Sequence, residues 1–585
     1  MTRSSIAIGW AGAVLLAIAL LLPVGDPPWL SFWREWTSAV AALALLLAAL
    51  TTLRDTGREI RWPLASMPTA ALVLAGAGWL QWACGRVPYR SDALLPSLYF
   101  ASFAIAVVIT AALAEAERDA CADRLAAALL CAALASAPLA ILQWLGWLRL
   151  DFGERVPAGR PIAHMEQANL LASLLIQGLC ALWRLRCRAR IGRVTALLLA
   201  APVAFALVLT QSRVAWLVAA ALLVLIAGRR ALLPWRARST RALAAIAVAI
   251  ALAMLAAPWF SSRTGQISAP LADRLSEGRR PAIWALYLDA ATRRPWAGWG
   301  VLQNGAAQFA LADRHPSLGY FYASAHDYLI DLVVWFGIPL GLGAGLALAA
   351  AVVRRLARAR DAATLSSAFA AAALLLHGLV ELPLFYLYFL LPFGMWLGLS
   401  TPRDEAGPAL RLRSGAPALF RVPAIVVTLV WAALARDYIA ITDVRPSYTV
   451  EPRSGHDWLY VEAPPPPVLL LDQLQAFHRY ASWTIDSRAL PDLVAARTAM
   501  RRYPVAPVIE HYARLTAAHG DPAASLDALH RLCKFEPAQA CAASHRAWAI
   551  WRRIWPVLPA WPPGPGRAAP DPRAAVSPES RSARP

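Results

Sequence analysis

Four ionisable side chains stand out in an otherwise apolar chain, and the type of each limits what it can do. Arg280 lies in Gly278-Arg279-Arg280-Pro281-Ala282-Ile283-Trp284. A planar, permanently charged guanidinium there could grip the phosphate of a lipid headgroup, or simply cap an anchoring helix. Arg213 closes Gln211-Ser212-Arg213 beside an apolar run. An arginine at the bilayer centre costs about 2.5–3.5 kcal/mol on insertion scales, so Arg213 must sit at the interface or face a polar cavity. Taken alone it reads as a snorkelling anchor. His326, in Ser324-Ala325-His326-Asp327-Tyr328, offers an imidazole whose ordinary titration lies near neutral pH, and taken alone it reads as a hydrogen-bonded structural histidine. Glu381 occupies the corner His377-Gly378-Leu379-Val380-Glu381-Leu382-Pro383-Leu384. An unpaired carboxylate there is costly, so a partner, naturally an arginine, is expected; structural pairing and direct catalysis both stay open.

The elements that must position these groups follow from composition. The 585 residues are 59% hydrophobic and 16% charged, a balance that belongs in a bilayer. Runs of roughly 20 apolar residues mark candidate spans. They fall near 6–24, 37–53, 63–82, 93–114, 125–148, 168–183, 194–211, 214–228, 242–260, 328–353, 364–380, 384–400 and 422–437. The expected fold is therefore all-α and polytopic, with about 13 transmembrane helices (12–14). The first run lacks a small-residue cleavage site and is read as a retained span.

The formal charge of +20 would suggest nucleic acid in a soluble protein, but here the arginines collect in four loops. These are 184–193 (Arg184, Arg186, Arg188, Arg190, Arg193), 229–241 (Arg229, Arg230, Arg236, Arg238, Arg241), 354–361 (Arg354, Arg355, Arg358, Arg360) and 401–421 (Arg403, Arg411, Arg413, Arg421). All four fall on one side, with Arg3, which makes that side and the amino terminus cytoplasmic and the carboxyl terminus periplasmic. Nucleic acid is excluded as a partner because the basic charge serves topology at the lipid headgroups. Lys534, the single lysine, is followed by Phe535, so the chain has no phosphate-binding GxxxxGK[ST] loop.

The outer side receives the loop 261–327 and everything after about 438. Within the loop, Ile283, Trp284, Tyr287, Leu288 and Ala291 recur at helical spacing over 281–292 and give one apolar face suited to the membrane interface. The expected domains are a transmembrane domain 1–440, a periplasmic helical domain 441–561 and a disordered tail 562–585. Tyr503–Gln539, with Gly520-Asp521-Pro522 between two helical patterns, resembles a single tetratricopeptide-like hairpin. Cys533 and Cys541 lie in a compartment that permits a disulfide between them. The other cysteines, Cys84, Cys121, Cys131, Cys180 and Cys187, read as packing residues.

Several stretches over about 155–400 together resemble the PglL-like protein O-oligosaccharyltransferases of the O-antigen ligase and Wzy polymerase superfamily. They are Gly159-Arg160 through Glu166-Gln167-Ala168-Asn169-Leu170, Gln211-Ser212-Arg213, Arg280 with Trp284, Pro295 to Gly300, His326 followed by Phe336-Gly337-Ile338-Pro339, and His377 to Phe389. Ala168 and Asp327 depart from it, standing where the family commonly has Pro and Asn. The resemblance implies transfer of an oligosaccharide from undecaprenyl diphosphate to Ser or Thr of a periplasmic acceptor protein, of the pilin or lipoprotein class, by a multi-pass enzyme of the bacterial inner membrane in contact with membrane lipid. It implies no nucleotide, cofactor or metal, and the outer loops contain neither DxD nor a zinc-spaced His/Cys cluster. On this resemblance Arg213 and Arg280 face the diphosphate, and His326 either receives or orients the acceptor proton or serves as a diphosphate ligand. Gln167, Asn169 and Arg160 contact substrate, and Glu381 orients an arginine. An O-antigen ligase or a polysaccharide polymerase would share the donor and differ in acceptor. A lipid-linked sugar transporter would place charges at mid-membrane, whereas these gather at one face.

Overall fold

The computed structural model describes residues 3–148, 160–228 and 279–562, apart from 24, 26–27, 58, 64–65, 166, 403–408, 414–416, 445–446, 451–456, 462–463 and 486–490, together with a few residues between 248 and 259. Most of the expected run 242–260, the loop 229–241, residues 261–278, Gly159, Glu166 and the tail from 563 lie outside the described residues.

The described chain is overwhelmingly helical. In chain order the helices are α1 (Arg3–Leu21), α2 (Phe32–Asp55), α3 (Met67–Ala83), α4 (Arg90–Ala112), α5 (Glu115–Trp144), α6 (Ala168–Cys187), α7 (Arg193–Thr210), α8 (Arg213–Gly228), α9 (Arg280–Arg293), α10 (Asn304–Leu311), α11 (Tyr328–Phe336), α12 (Gly343–Arg358), α13 (Ala362–Gly378), α14 (Leu387–Leu399), α15 (Pro417–Asp443), α16 (Asp472–Ser482), α17 (Leu493–Arg502), α18 (Ala506–Ala518), α19 (Pro522–Leu532) and α20 (Ala538–Ile554). Two short antiparallel pairs complete the described structure, β1 (Glu59–Pro63) with β2 (Ala409–Arg413) and β3 (Ser447–Val450) with β4 (Asp457–Tyr460). Among the described residues eight helices are long and apolar enough to cross a membrane, and Arg213–Leu225, Ala362–Gly378 and Leu387–Leu399 are shorter apolar helices. The chain is a multi-pass membrane protein.

Two compact units are built from interleaved segments. The first comprises Met1–Gln308, Tyr322–Arg445 and Pro465–Gln475. Its centre is α6, which packs against α5, α7 and α13, while α14 packs against α4. One face of α6 is polar at roughly one-turn intervals. Gln177 donates to Ala370 O at 2.9 Å, and Arg184 reaches Ser367 Oγ at 3.0 Å and Asp119 Oδ1 at 2.9 Å. In a medium without water such groups act as helix glue because each must find its partner in protein. At 1.5 Å per residue α6 is about 30 Å long, so Asn169 at its start and the arginines at its end lie at opposite ends of a membrane-length helix.

The apolar run 328–353, expected as one span, is interrupted. Helix α11 stops at Gly337 (φ +84°), a π-helical turn Ile338–Leu342 follows, and α12 begins at Gly343. The break is where Pro295–Gly300 docks. Trp299 N donates to Val334 O at 2.7 Å and Ile338 N to Pro295 O at 2.7 Å. A Cβ on Gly337 would fall 2.6 Å from Pro295 O, and one on Gly298 (φ +66°) 2.5 Å from Trp335 O. Only glycine allows both the left-handed backbone and this approach. The two stretches therefore form one backbone-paired unit.

The second unit comprises Phe309–Phe321, Pro446–Pro464 and Ala476–Pro585. Its core joins Tyr480, Met500, Ile509, Leu515, Leu529, Trp548 and Trp551. Helices α18 and α19 form a hairpin turned at Gly520 (φ +86°), with the Asp521 carboxylate capping α19 through Ala524 N at 2.9 Å. The segment Phe309–Phe321 is integral to it. Phe309 stacks on Phe535 with centroids 5.9 Å apart, Arg531 donates to Phe309 O at 2.9 Å, and Lys534 donates to His315 O at 3.0 Å. Cys533 and Cys541 are disulfide-bonded.

Candidate active site

Glu381 is the hub of a polar cluster within the first unit. Its backbone N donates to His377 O at 2.8 Å, closing α13, and its side chain is buried. Oε1 accepts from the Arg280 guanidinium and from Asn169 Nδ2 at 2.7 Å, while Oε2 lies 3.1 Å from His326 Nδ1. Asn169 Oδ1 in turn accepts from Arg160 Nη2 and from Ser212 Oγ, both at 2.9 Å, and Arg160 Nε donates to Thr210 O at 2.9 Å. Arg160, Asn169, Arg280, His326 and Glu381, five of the residues singled out in the sequence, are thus joined in one network. Arg213, the first residue of α8, lies close enough for its charge to interact with those of Arg280 and Glu381. Gln167 is the N-cap of α6; it is exposed and makes no side-chain capping bond.

Burial would raise the Glu381 carboxyl, yet the hydrogen bond from His326 and the charge of Arg280 hold it below the usual carboxylate range. A carboxylate only accepts, so His326 Nδ1 must carry its hydrogen, which leaves the lone pair of the neutral ring on Nε2. The imidazole is aimed by its backbone. His326 is left-handed (φ +56°), and its N–H donates to Ser324 Oγ at 2.9 Å. Buried Asp331 accepts from Ala325 N and Asn304 Nδ2, each at 2.9 Å, and from the Ser324 hydroxyl. Trp284 Nε1 donates to Ala325 O at 3.0 Å, and the Tyr287 hydroxyl donates to Tyr322 O. Helix α9 therefore both presents Arg280 at its first turn and braces the histidine loop. Ile283, Tyr287 and Ala291 of its expected apolar face are buried and Trp284 is partly buried, whereas Leu288 is exposed.

The two departures from the family pattern prove conservative in role. Asp327 caps α11, accepting from Leu329 N at 2.8 Å and Ile330 N at 3.1 Å, a task asparagine performs equally. Ala168 is the first residue of α6, where proline is favoured and alanine fits.

Sequence reasoning missed the supports. The expected spans 6–24 and 37–53 leave 25–36 between them as a connection, but α2 begins at Phe32 and buries Arg34 and Glu35. Arg34 donates to His164 O at 2.8 Å, and Glu35 accepts from Ser31 Oγ at 2.6 Å, Trp29 Nε1 at 3.0 Å, Leu387 N at 3.2 Å and the Tyr99 hydroxyl. These adjacent charges tie down the segments that bear Arg160 and Glu381. Adjacent opposite charges at the mouth of an apolar run were the signal. Asp331 inside an apolar run was another, since an intramembrane carboxylate is costly without partners. Among the described residues one His/Cys/Asp/Glu group clusters closely enough to hold a metal, Cys533, Cys541 and His545, and its two sulfurs are consumed by the disulfide.

The family described as O-antigen ligase matches residues 195–345, which include Arg213, Arg280 and His326. Over this stretch the chain is similar to the O-antigen ligases. The family described as the C-terminal region of virulence factor membrane-bound polymerase matches residues 368–549, which include Glu381 and run into the second unit. The chain is 28% identical over 455 residues to a general O-oligosaccharyltransferase of Acinetobacter baylyi, covering 73% of this chain and 75% of that relative. It is 27% identical over 243 residues to a ComP-specific O-oligosaccharyltransferase of the same organism, covering 41% of this chain and 44% of that relative.

Proposed function

We propose that this enzyme transfers an oligosaccharide en bloc from undecaprenyl diphosphate to Ser or Thr hydroxyls of periplasmic proteins. The supporting observation is the Glu381 cluster, in which a carboxylate joins Arg280, His326 and Asn169 from three different parts of the chain. The named relatives support the glycosyltransferase class and a protein acceptor.

In this reading the acceptor oxygen forms a bond to the anomeric carbon as the bond from that carbon to the diphosphate oxygen breaks. The hydroxyl proton passes to His326 Nε2, and undecaprenyl diphosphate departs as an anion. Arg280 and Arg213 neutralise the growing charge, a task suited to preorganised guanidinium donors. Glu381 holds both Arg280 and the reactive tautomer of His326, while Arg160, Asn169 and Gln167 face the donor. The activated donor already carries the free energy of transfer, so the scheme uses no nucleotide, cofactor or metal. In this reading the amino terminus lies in the cytoplasm and the second unit in the periplasm of an inner-membrane protein with about 13 helices, an orientation that the arginine-rich loops support. The α18–α19 hairpin would act there as a tetratricopeptide-like element contributing to acceptor recognition.

An O-antigen ligase or polymerase reading uses the same donor chemistry, and the two matched family descriptions support it. Cells supplying one lipid-linked glycan separate the readings. Sugar on periplasmic protein, lost in Arg280→Ala and His326→Ala, is expected; sugar on lipid A core or on lengthening polysaccharide instead would select the second reading.

A further inference from the structure

The loop between α7 and α8 carries a polar side chain that the cluster does not use. Gln211 is 8% exposed, and neither its Oε1 nor its Nε2 has a hydrogen-bond partner among the described residues. Its backbone is left-handed at φ +52°, a conformation that glutamine adopts at a cost. Both of its neighbours belong to the site. Thr210 O accepts from Arg160, and the Ser212 hydroxyl donates to Asn169. Ala163, Gln211 and His326, all in segments that bear the site, share this left-handed geometry. Leaving a buried amide unsatisfied is unfavourable, and for a strained side chain flanked on both sides by residues of the cluster a ligand contact would relieve that cost.

We propose that the Gln211 amide binds the sugar ring adjoining the diphosphate of the donor, an inference that rests on the donor reading above. The chemistry of the amide selects sugar over phosphate. A phosphate oxygen can only accept, and would satisfy Nε2 while leaving Oε1 without a donor. A sugar ring presents hydroxyl or acetamido groups that donate and accept together, and so satisfies both ends. Arginine serves the diphosphate; the neutral amide serves the ring beside it.

The test uses the purified full-length chain and two lipids, undecaprenyl diphosphate and the same lipid carrying a single sugar, with thermal unfolding as the readout. The wild type should be stabilised more by the sugar-bearing lipid. Gln211→Met should unfold no earlier than wild type without lipid, since it removes an unsatisfied buried amide, and should lose the sugar-dependent increment while keeping the shift from the bare diphosphate. Its kcat/KM for transfer should fall about 10- to 100-fold, the scale of two neutral hydrogen bonds. Gln211→Asn relieves the left-handed backbone yet shortens the reach by one methylene, so it should fold well and still lose the increment. Retention of the full sugar increment in either variant overturns the inference alone, as does loss of the bare-diphosphate shift in Gln211→Met. If neither lipid stabilises the wild type, the donor reading falls and this inference falls with it.

Discussion

Replacing Glu381 by glutamine turns one oxygen into an NH2 group and removes a charge with almost no change in volume. The carboxylate serves Arg280 and Asn169 through Oε1 and His326 through Oε2. The amide must keep its oxygen toward Arg280 and Asn169, because the opposite flip would face NH2 against both of these donors. NH2 therefore faces His326 Nδ1, which now has to accept. The ring proton moves to Nε2, and the nitrogen that was to take the acceptor's proton loses its lone pair. Hydrogen bonds to charged groups are worth about 1.5–3 kcal/mol each, and a positioned general base about 10²- to 10⁴-fold in rate. Glu381→Gln should therefore lower kcat by about 100-fold or more, with a smaller change in the KM for donor. The measurement is transfer from lipid-linked donor to purified acceptor protein, with thermal unfolding followed in parallel to exclude misfolding. A folded variant whose kcat stays within about 3-fold of wild type would refute the coupling of Glu381 to a proton-accepting His326, since the general-base contribution it removes is about 100-fold or more.

Three further outcomes follow. Burial, followed by the charge of Arg34, lowers His164 to about 4 from an ordinary 6.5. The folded state then binds fewer protons than the unfolded state between these values, so the contribution of His164 is intact above pH 6.5 and declines by on the order of 3 kcal/mol as pH falls to 4. Unfolding curves of His164→Gln between pH 7 and 4 should be flatter than wild type by that component. Asp331→Ala strands the buried Asn304 amide, the Ala325 N–H and the Ser324 hydroxyl. It should destabilise the chain by about 3 kcal/mol or more and lower kcat through the histidine loop, measured by unfolding midpoint and transfer rate. Breaking Cys533–Cys541, whose sequence separation is 8, releases a short loop worth about 2.5 kcal/mol on the chain-entropy scale. A Cys533→Ser, Cys541→Ser double variant should show an earlier unfolding transition of the second unit and gain sensitivity to proteolysis there.

Whatever depends on transfer of short stretches of chain into lipid was readable from residue order alone. Apolar runs such as 93–114 and 168–183 correspond to α4 and α6 because twenty apolar residues insert as a helix wherever their partners lie. The motif stretches, too, were legible as types and spacings. The Pro295–Gly300 and Phe336–Pro339 stretches could be noticed separately, but that they pair through backbone hydrogen bonds is a property of the folded chain. The same holds for Arg34 and Glu35, which look like a connection until α2 is seen to bury them. Glu381 meets His326 across 55 positions, Arg280 across 101 and Asn169 across 212. Local propensity carries no information over such separations. The residues available for chemistry were set by residue order and the cost of charge in lipid, whereas which acid holds which base was decided by the packing of α6, α9 and α13, because a hydrogen bond exists only where the tertiary fold brings donor and acceptor within about 3 Å.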